Sequence, residues 1–118
     1  VWYRPNEVSN SVGNLILHLR GNVTQWIVAA LGGAAFDRDR PAEFAARGPL
    51  PVETVLPPLR EAVEQACAVI AGLPTEGLVR EYPIQGRTVN GLAATFHVVE
   101  HFSFHTGQVV STTKFLTG

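Results

Sequence analysis

The 118-residue sequence has one cysteine, no methionine and no run of basic residues. Its single cysteine, Cys67, cannot form an intramolecular disulfide, which favours a reducing, cytoplasmic setting. No signal peptide is predicted, because the chain does not open with a basic end, an apolar run and a small-residue cleavage site. It opens instead on Val1-Trp2, and together with the missing methionine this start predicts a fragment or a processed form.

Charge and long apolar runs are also sparse. Nine Lys and Arg residues against ten Asp and Glu residues give a net charge of −1, and the cations are scattered along the chain. This distribution gives no electrostatic support for nucleic-acid binding. The longest apolar helical segment is interrupted by His, Arg, Asn and Gln, so no membrane span is predicted. Because no linker separates two apolar patterns, residues 1–118 are predicted to form a single domain.

Hydrophobic residues make up 46% of the sequence, which is enough to build a compact core. They recur at spacings of three and four, which predicts amphipathic helices and an all-α fold. Three helices are predicted: from a cap at Asn10 or Ser11 to about Leu31, from near Thr54 to about Leu73, and from a cap at Thr88 or Asn90 through Leu92–Leu116.

Two further predictions concern the second helix. An interior proline clashes with the preceding turn and removes a hydrogen bond, so Pro57 and Pro58 are expected in the first turn or just before it. Cys67 falls on the predicted apolar stripe, which predicts a buried, inert thiol. The connections are predicted to be a surface loop over Gly33–Pro51, with a short helical turn at Ala42–Ala46, and an extended segment or weak hairpin over Pro74–Arg87 that turns at Gln85-Gly86.

All four histidines can be interpreted as one cluster. His97, His101 and His105 recur every fourth residue, and positions four apart lie about 40° apart around a helix axis. Two neighbours in such a stripe can chelate one ion, and His18 lies mid-way along another predicted helix. Three neutral imidazoles with one open position suit catalytic zinc or a related divalent ion. The alternative is a helix that exposes three solvated histidines on one face.

Two segments resemble the signatures of a known family. The first is Trp2–Leu19, WYRPNEVSNSVGNLILHL, followed by Gly21-Asn22, and the second is Val98–Gln108, VVEHFSFHTGQ. Both are similar to motifs of the DinB-like superfamily, specifically its DUF1572 branch. The resemblance implies a DinB-like four-helix bundle, of which this chain shows only three helices because the family's N-terminal helix is expected to be absent. One side of the bundle is then expected to be uncovered, unless a partner chain fills it.

The same resemblance implies a metal site. One histidine of the second family helix and two of the fourth correspond to His18, His101 and His105, and imidazole ligands favour zinc or nickel. His97 lies one turn from the ligand pair and is the nearest residue able to shuttle a proton, so it is predicted to be catalytic. Asn14, Asn22 and Gln108 are candidates for contacts to the ligating histidines or to a substrate.

Three functions remain open on the sequence. The first is transfer of a low-molecular-weight thiol such as bacillithiol or mycothiol to a small-molecule substrate. The second is metal-dependent hydrolysis, and the third is non-catalytic binding of a metal or small ligand in a stress response. The resemblance also implies a homodimer.

Overall fold

The computed structural model describes all of residues 1–118 and consists mainly of helices, which confirms the predicted all-α class. Its only sheet is a two-stranded antiparallel hairpin. The elements in chain order are α1 (Val12–Val23), a π-helical segment (Thr24–Leu31), α2 (Arg40–Ala45), α3 (Val52–Gly72), α4 (Thr75–Val79), β1 (Glu81–Ile84), β2 (Arg87–Asn90) and α5 (Gly91–Thr117).

Helix α1 begins at a reciprocal cap. The backbone N–H of Asn14 donates to Ser11 Oγ at 3.0 Å, and the backbone N–H of Ser11 donates to Asn14 Oδ1 at 3.0 Å. The side chain of Asn14 also donates to the carbonyls of Glu43 at 3.0 Å and Ala46 at 2.8 Å. Asn14 therefore starts α1 and at the same time ties α2 to it, which fixes the position of Glu43.

The first helix extends to Leu31 as predicted, but its last eight residues are π-helical. The wider turn is seen where the N–H of Gly32 donates to the carbonyl of Ile27 at 2.9 Å. Trp26 and Ile27 of this segment are fully buried, and Trp26 lies against α5. π-Helical turns are rare and often occur near functional sites. This segment therefore makes the adjoining part of the α1–α5 interface a candidate functional site.

Helix α3 corrects two predictions. It begins at Val52, so Pro57 and Pro58 lie in its second turn and not in its first. The carbonyls that lose their donors belong to Glu53 and Thr54, which are exposed, so water can satisfy them. Cys67 is exposed, because the face of α3 that contacts the core is formed by other residues: Val55, Leu59, Ala62 and Ala66.

The connections follow the predictions with one addition. The hairpin β1–β2 turns at Gln85-Gly86, where both residues have positive φ, and Asn90 caps α5 by accepting from the N–H of Ala93 at 2.7 Å. The short helix α4 was not predicted. It is held to the hairpin by Tyr82, whose buried hydroxyl donates to the carbonyl of Gly77 at 2.9 Å.

Helix α1 and its π-helical continuation contact both α3 and α5, and the core lies along these two interfaces. The opposite face of α5 is uncovered and carries exposed apolar side chains. No helix combines the length and the hydrophobicity that crossing a membrane requires. The large apolar side chains that α5 exposes are Leu92, Phe96, Val99, Phe104, Val110, Phe115 and Leu116.

Candidate metal centre

Three histidines meet between α1 and α5. His18 Nε2 lies 2.8 Å from His101 Nε2, and His101 Nε2 lies 3.1 Å from His105 Nε2. His18 is buried, whereas the other two are half-buried. One nitrogen from each residue falls within 4.8 Å of the other two, so the three could hold a metal ion. These are the three histidines that the family resemblance implies as ligands.

The helices explain why these side chains converge. His101 and His105 are one turn apart on α5 and therefore share a face. His18 packs against both of them from α1, while Trp26, two turns further along the first helix, packs against His97. The first helix and α5 therefore run antiparallel, and all four histidines lie where the two helices meet.

The donor set fits a divalent transition metal. Imidazole nitrogens bind zinc at about 2.0–2.1 Å, which places tetrahedral donors roughly 3.4 Å apart. The two short distances of 2.8 and 3.1 Å are close to that spacing. Imidazole suits zinc, nickel and copper better than magnesium or calcium, which prefer oxygen ligands. No carboxylate or thiolate completes the group, so three protein ligands would leave a further position open.

A buried ionic network orients His18. Its Nδ1 lies 3.1 Å from Glu43 Oε1, and Arg38 donates to both carboxylate oxygens of Glu43 at 2.9 Å. Arg38 also approaches the same Nδ1 at 3.2 Å, but the carboxylate contact is shorter and pairs a donor with an anion. We therefore assign the hydrogen to Nδ1, which leaves the Nε2 lone pair directed at the cluster.

Gly21 makes room for this network. A Cβ atom at that position would collide with Glu43 Oε2 and would lie 2.9 Å from Arg38 Nε. Both side chains are held by their mutual hydrogen bonds, and Arg38 also donates to Gln25 Oε1 at 2.9 Å. The absence of a side chain on α1 is thus what allows the ion pair to pack on the helix beside His18.

The second histidine of the cluster, His105, has a simpler partner. Its Nδ1 lies 2.6 Å from Gln108 Oε1, an oxygen that can only accept, so Nδ1 carries the hydrogen and Nε2 faces the cluster. Gln108 is exposed. This contact confirms that Gln108 touches a histidine of the cluster, whereas Asn14, named with it as a candidate, contacts only the cap and the α2 backbone.

The third, His101, lacks such a partner. Its Nδ1 is buried without a hydrogen bond, and two neighbouring polar atoms are in the same condition. These are Asn22 Oδ1 and Trp26 Nε1, which lie one and two turns beyond His18 on the first helix. An unpaired buried polar atom is costly, so each of these three atoms calls for an explanation.

His97 lies beside this cluster but not in it. Its ring stacks on the Trp26 indole, with the ring centroids 4.0 Å apart, and lies 5.8 Å from the ring of His101. Burial and the charge of Arg87 lower the pKa of His97, against an opposing effect of Glu100. The prediction that His97 is not a ligand agrees with this position, while its catalytic role stays a prediction.

The pKa values of His101, His105 and Glu43 are all lowered. Burial, with the neighbouring His18 and His105, lowers the pKa of His101 to about 3. Burial and His18 likewise lower the pKa of His105, although the bond to Gln108 opposes the shift. Burial raises the pKa of Glu43, but hydrogen bonds from His18 and Arg38 and the charge of Arg38 outweigh it and lower the pKa. A neutral His101, together with an ionised Glu43 behind His18, is the state that favours a cation.

An open cleft of about 820 Å³ adjoins the site at Gln108. It lies between the N-terminal segment and the second half of α5. No charged side chain lines it, and its walls combine aromatic rings with hydroxyl and amide groups. The residues that carry these groups are Tyr3, Phe104, Phe115, Ser9, Asn10, Gln108, Ser111 and Thr112.

Sequence reasoning missed Arg38 and Glu43. Arg38 belongs to an Asp-Arg-Asp-Arg run that is typical of a solvated loop, and Glu43 lies in a helix of only six residues. Both side chains are nevertheless buried, at 4% and 10% exposure. The one available signal was the polar face of the first helix, where His18, Asn22 and Gln25 require partners from another element.

The chain matches the family model described as "Protein of unknown function (DUF1572)" over residues 1–118. It therefore belongs to the DUF1572 family, as its two terminal motifs predicted. No curated protein and no solved structure matches the chain.

Proposed function

We propose that this chain is a metal-dependent enzyme of the DinB-like superfamily, with zinc or nickel held by His18, His101 and His105. One observation carries the proposal: the Nε2 atom of His101 lies within 3.1 Å of the Nε2 atoms of both other histidines. Such close nitrogens are well placed to share a cation. The solvated-histidine alternative requires no such convergence and no buried carboxylate behind it.

The residues around the ligands have separable tasks. Glu43 accepts the Nδ1–H of His18 and keeps its Nε2 free, and Gln108 does the same for His105. When bound, the ion would lower the pKa of a water or thiol and so supply a nucleophile at neutral pH. His97, whose lowered pKa keeps its ring neutral near pH 7, is placed to accept a proton beside the cluster.

Three ligands with an open position favour an enzyme over a closed structural site. Among enzymes, we propose S-transfer from a low-molecular-weight thiol, because a thiolate is a soft donor that suits zinc or nickel. The cleft beside Gln108 provides room for such a small molecule and its acceptor. Its uncharged walls favour the neutral, hydroxyl-bearing part of a ligand over an anionic part.

Metal titration tests the ligand set. The purified chain should bind about one zinc or nickel ion, measured by calorimetry and elemental analysis. His18→Ala, His101→Ala and His105→Ala should each abolish tight binding, because two imidazoles hold the ion weakly. His97→Ala is the matched control on the same helix face and should largely retain it. Equal losses from His97→Ala and His105→Ala would show that the ligand assignment is wrong.

A thiol titration tests the chemistry. Bacillithiol, mycothiol and glutathione are titrated into metal-loaded and metal-free protein, and binding should require the metal. The apparent pKa of the bound thiol should fall below its value in solution. If no thiol binds while an ester or amide is hydrolysed in a metal-dependent way, the transferase proposal fails and a hydrolase replaces it.

We also propose that the chain forms a homodimer through the uncovered face of α5. Phe96 and Val99 are each 63% exposed, and apolar side chains on one long helix face favour a protein partner. Light scattering should give twice the chain mass, and Phe96→Glu should reduce it to the monomer. A soluble monomeric wild type at high concentration would refute this part of the proposal.

A further inference from the structure

The three proposed ligands differ in the hydrogen bonds made by their Nδ1 atoms. A neutral histidine that binds a metal through Nε2 carries its hydrogen on Nδ1, and that N–H is normally donated to an oxygen. His18 has Glu43 for this purpose, and His105 has Gln108. His101 is the central ligand, in contact with both others, yet its buried Nδ1 has no acceptor.

Asn22 has a buried acceptor without a donor, whereas His101 lacks an acceptor for its Nδ1–H. It lies one turn beyond His18 on the same face of α1, is 3% exposed, and its Oδ1 has no hydrogen-bond donor. In sequence Asn22 lies midway between His18, which contacts His101, and Trp26, which stacks on His97, so the α1–α5 contacts flank its position on the helix. Since Nε2 of His101 is directed at the other ligands, its Nδ1 lies on the side of the ring away from the cluster.

We propose that Asn22 is a positioning residue for the central ligand. Its Oδ1 accepts the Nδ1–H of His101 when a metal occupies Nε2, which fixes the tautomer and the ring orientation of that ligand. Without a metal, Nε2 of His101 can itself donate to His18 or His105, and Nδ1 is then an acceptor that cannot bond to Oδ1. The interaction is thus specific to the metal-bound form, and it rests on the proposed metal site.

A role for Asn22 in accepting a hydrogen bond from Trp26 is the competing explanation for its buried side chain. The Nε1–H of Trp26 is also buried and unpaired, and it lies one turn from Asn22 on the same helix. If Asn22 served only to accept that N–H, it would stabilise the helix interface and leave the metal unaffected. The two explanations differ in what the loss of the Asn22 oxygen does to zinc affinity, which falls under the proposal and is unchanged under the alternative.

Zinc affinity, measured by competition with a chelator, separates them. Asn22→Leu removes the acceptor at similar volume and should weaken zinc binding about 10- to 100-fold. Asn22→Asp keeps an oxygen in place and should retain affinity close to that of the wild type. Trp26→Phe keeps the ring stacked on His97 but removes the N–H, and it should bind zinc like the wild type. Thermal unfolding of the metal-free proteins verifies that each variant is folded.

A second measurement follows the Nδ1 hydrogen of His101. Any zinc bound at Nε2 places this hydrogen on Nδ1, and long-range ¹H–¹⁵N NMR spectra of the zinc-loaded protein should show it exchanging slowly with solvent in the wild type and faster in Asn22→Leu. Equal exchange rates in the two proteins would show that Asn22 does not accept it.

The outcomes are distinct. If the wild type binds no zinc, the proposed function fails and this inference fails with it. If the wild type binds zinc and Asn22→Leu binds equally well, only the inference is overturned. An equal loss of affinity in Trp26→Phe, or a His101 that keeps its hydrogen on Nε2 in the zinc-loaded protein, would also overturn it.

Discussion

The two sides of the histidine cluster are built differently. On the α1 side, His18 is buried and contacts Glu43, which Arg38 holds in turn by an ion pair, so this imidazole is backed by a buried ionic network. On the α5 side, His105 is half-buried and is supported by a single exposed amide, Gln108, at the edge of a cleft. Under the proposed function, the buried side would fix the position of the metal, and the open side would admit a further ligand to it.

The largest effect is expected on the buried side. Glu43→Ala leaves Arg38 as an unpaired buried cation and should cost about 3 kcal/mol of unfolding free energy, together with tight metal binding. The measurements are chemical denaturation and metal titration. Replacing both partners, in Arg38→Met/Glu43→Leu, should recover much of the stability but not the affinity. If the double variant also recovers the affinity, Glu43 matters for folding alone and the contrast between the two sides disappears.

A smaller effect is expected from pH. His101 stays neutral in the fold down to a pKa of about 3, whereas in the unfolded chain it protonates near its usual value of 6.5. The unfolded state therefore binds more protons below pH 6.5, and the free energy of unfolding falls as pH falls. Between pH 6.5 and 4.5, His101 should account for roughly 1–2 kcal/mol of this loss, allowing for its partial exposure.

Denaturation of the chelator-treated protein at several pH values measures this slope. Glu43, with its pKa held below 4.5, contributes a loss of the same sign only at lower pH, so the chosen window isolates the histidines. His101→Gln cannot titrate and should flatten the curve by the stated amount. An identical slope in wild type and His101→Gln would contradict the prediction.

The smallest effect is expected on the exposed side. Gln108→Ala removes one solvent-accessible hydrogen bond to His105, for which water can substitute, and should weaken metal binding by only about threefold, or below about 1 kcal/mol. Glu43→Gln, the isosteric change on the buried side, is the comparison and should weaken binding by about 10-fold or more. Similar losses from both changes would mean that the two sides are equivalent.

Much of the ligand arrangement was predictable because it depends on one long helix. The spacing of His101 and His105 places them on one face of α5 wherever that helix packs. His18 required the family resemblance, since a single histidine on a polar helix face does not reveal its partner. The caps at Ser11 and Asn90 followed from local side-chain chemistry, which needs no tertiary contact.

The features that escaped prediction depend on tertiary contacts. Glu43 reaches His18 only because Asn14 ties the α2 backbone to α1, a contact across 29 residues. Cys67 was assigned to the core because its neighbours are apolar, whereas the buried face of α3 is formed by other residues and leaves Cys67 exposed. Pro57 and Pro58 are tolerated inside α3 because the exposed carbonyls of the preceding turn can bond to water. Helix propensity alone does not reveal this, because it does not depend on whether a position is exposed.

The close fit of Gly21 against the ion pair has a consequence for protein engineering. Replacing a mid-helix glycine with alanine is a standard route to higher thermostability, usually worth up to about 1 kcal/mol. Here the added methyl group would occupy the space of the Glu43 carboxylate and Arg38, and so would dislodge the support of His18. Gly21→Ala should therefore lower both the thermal stability and the metal retention, so a library designed for heat resistance should leave this glycine unchanged.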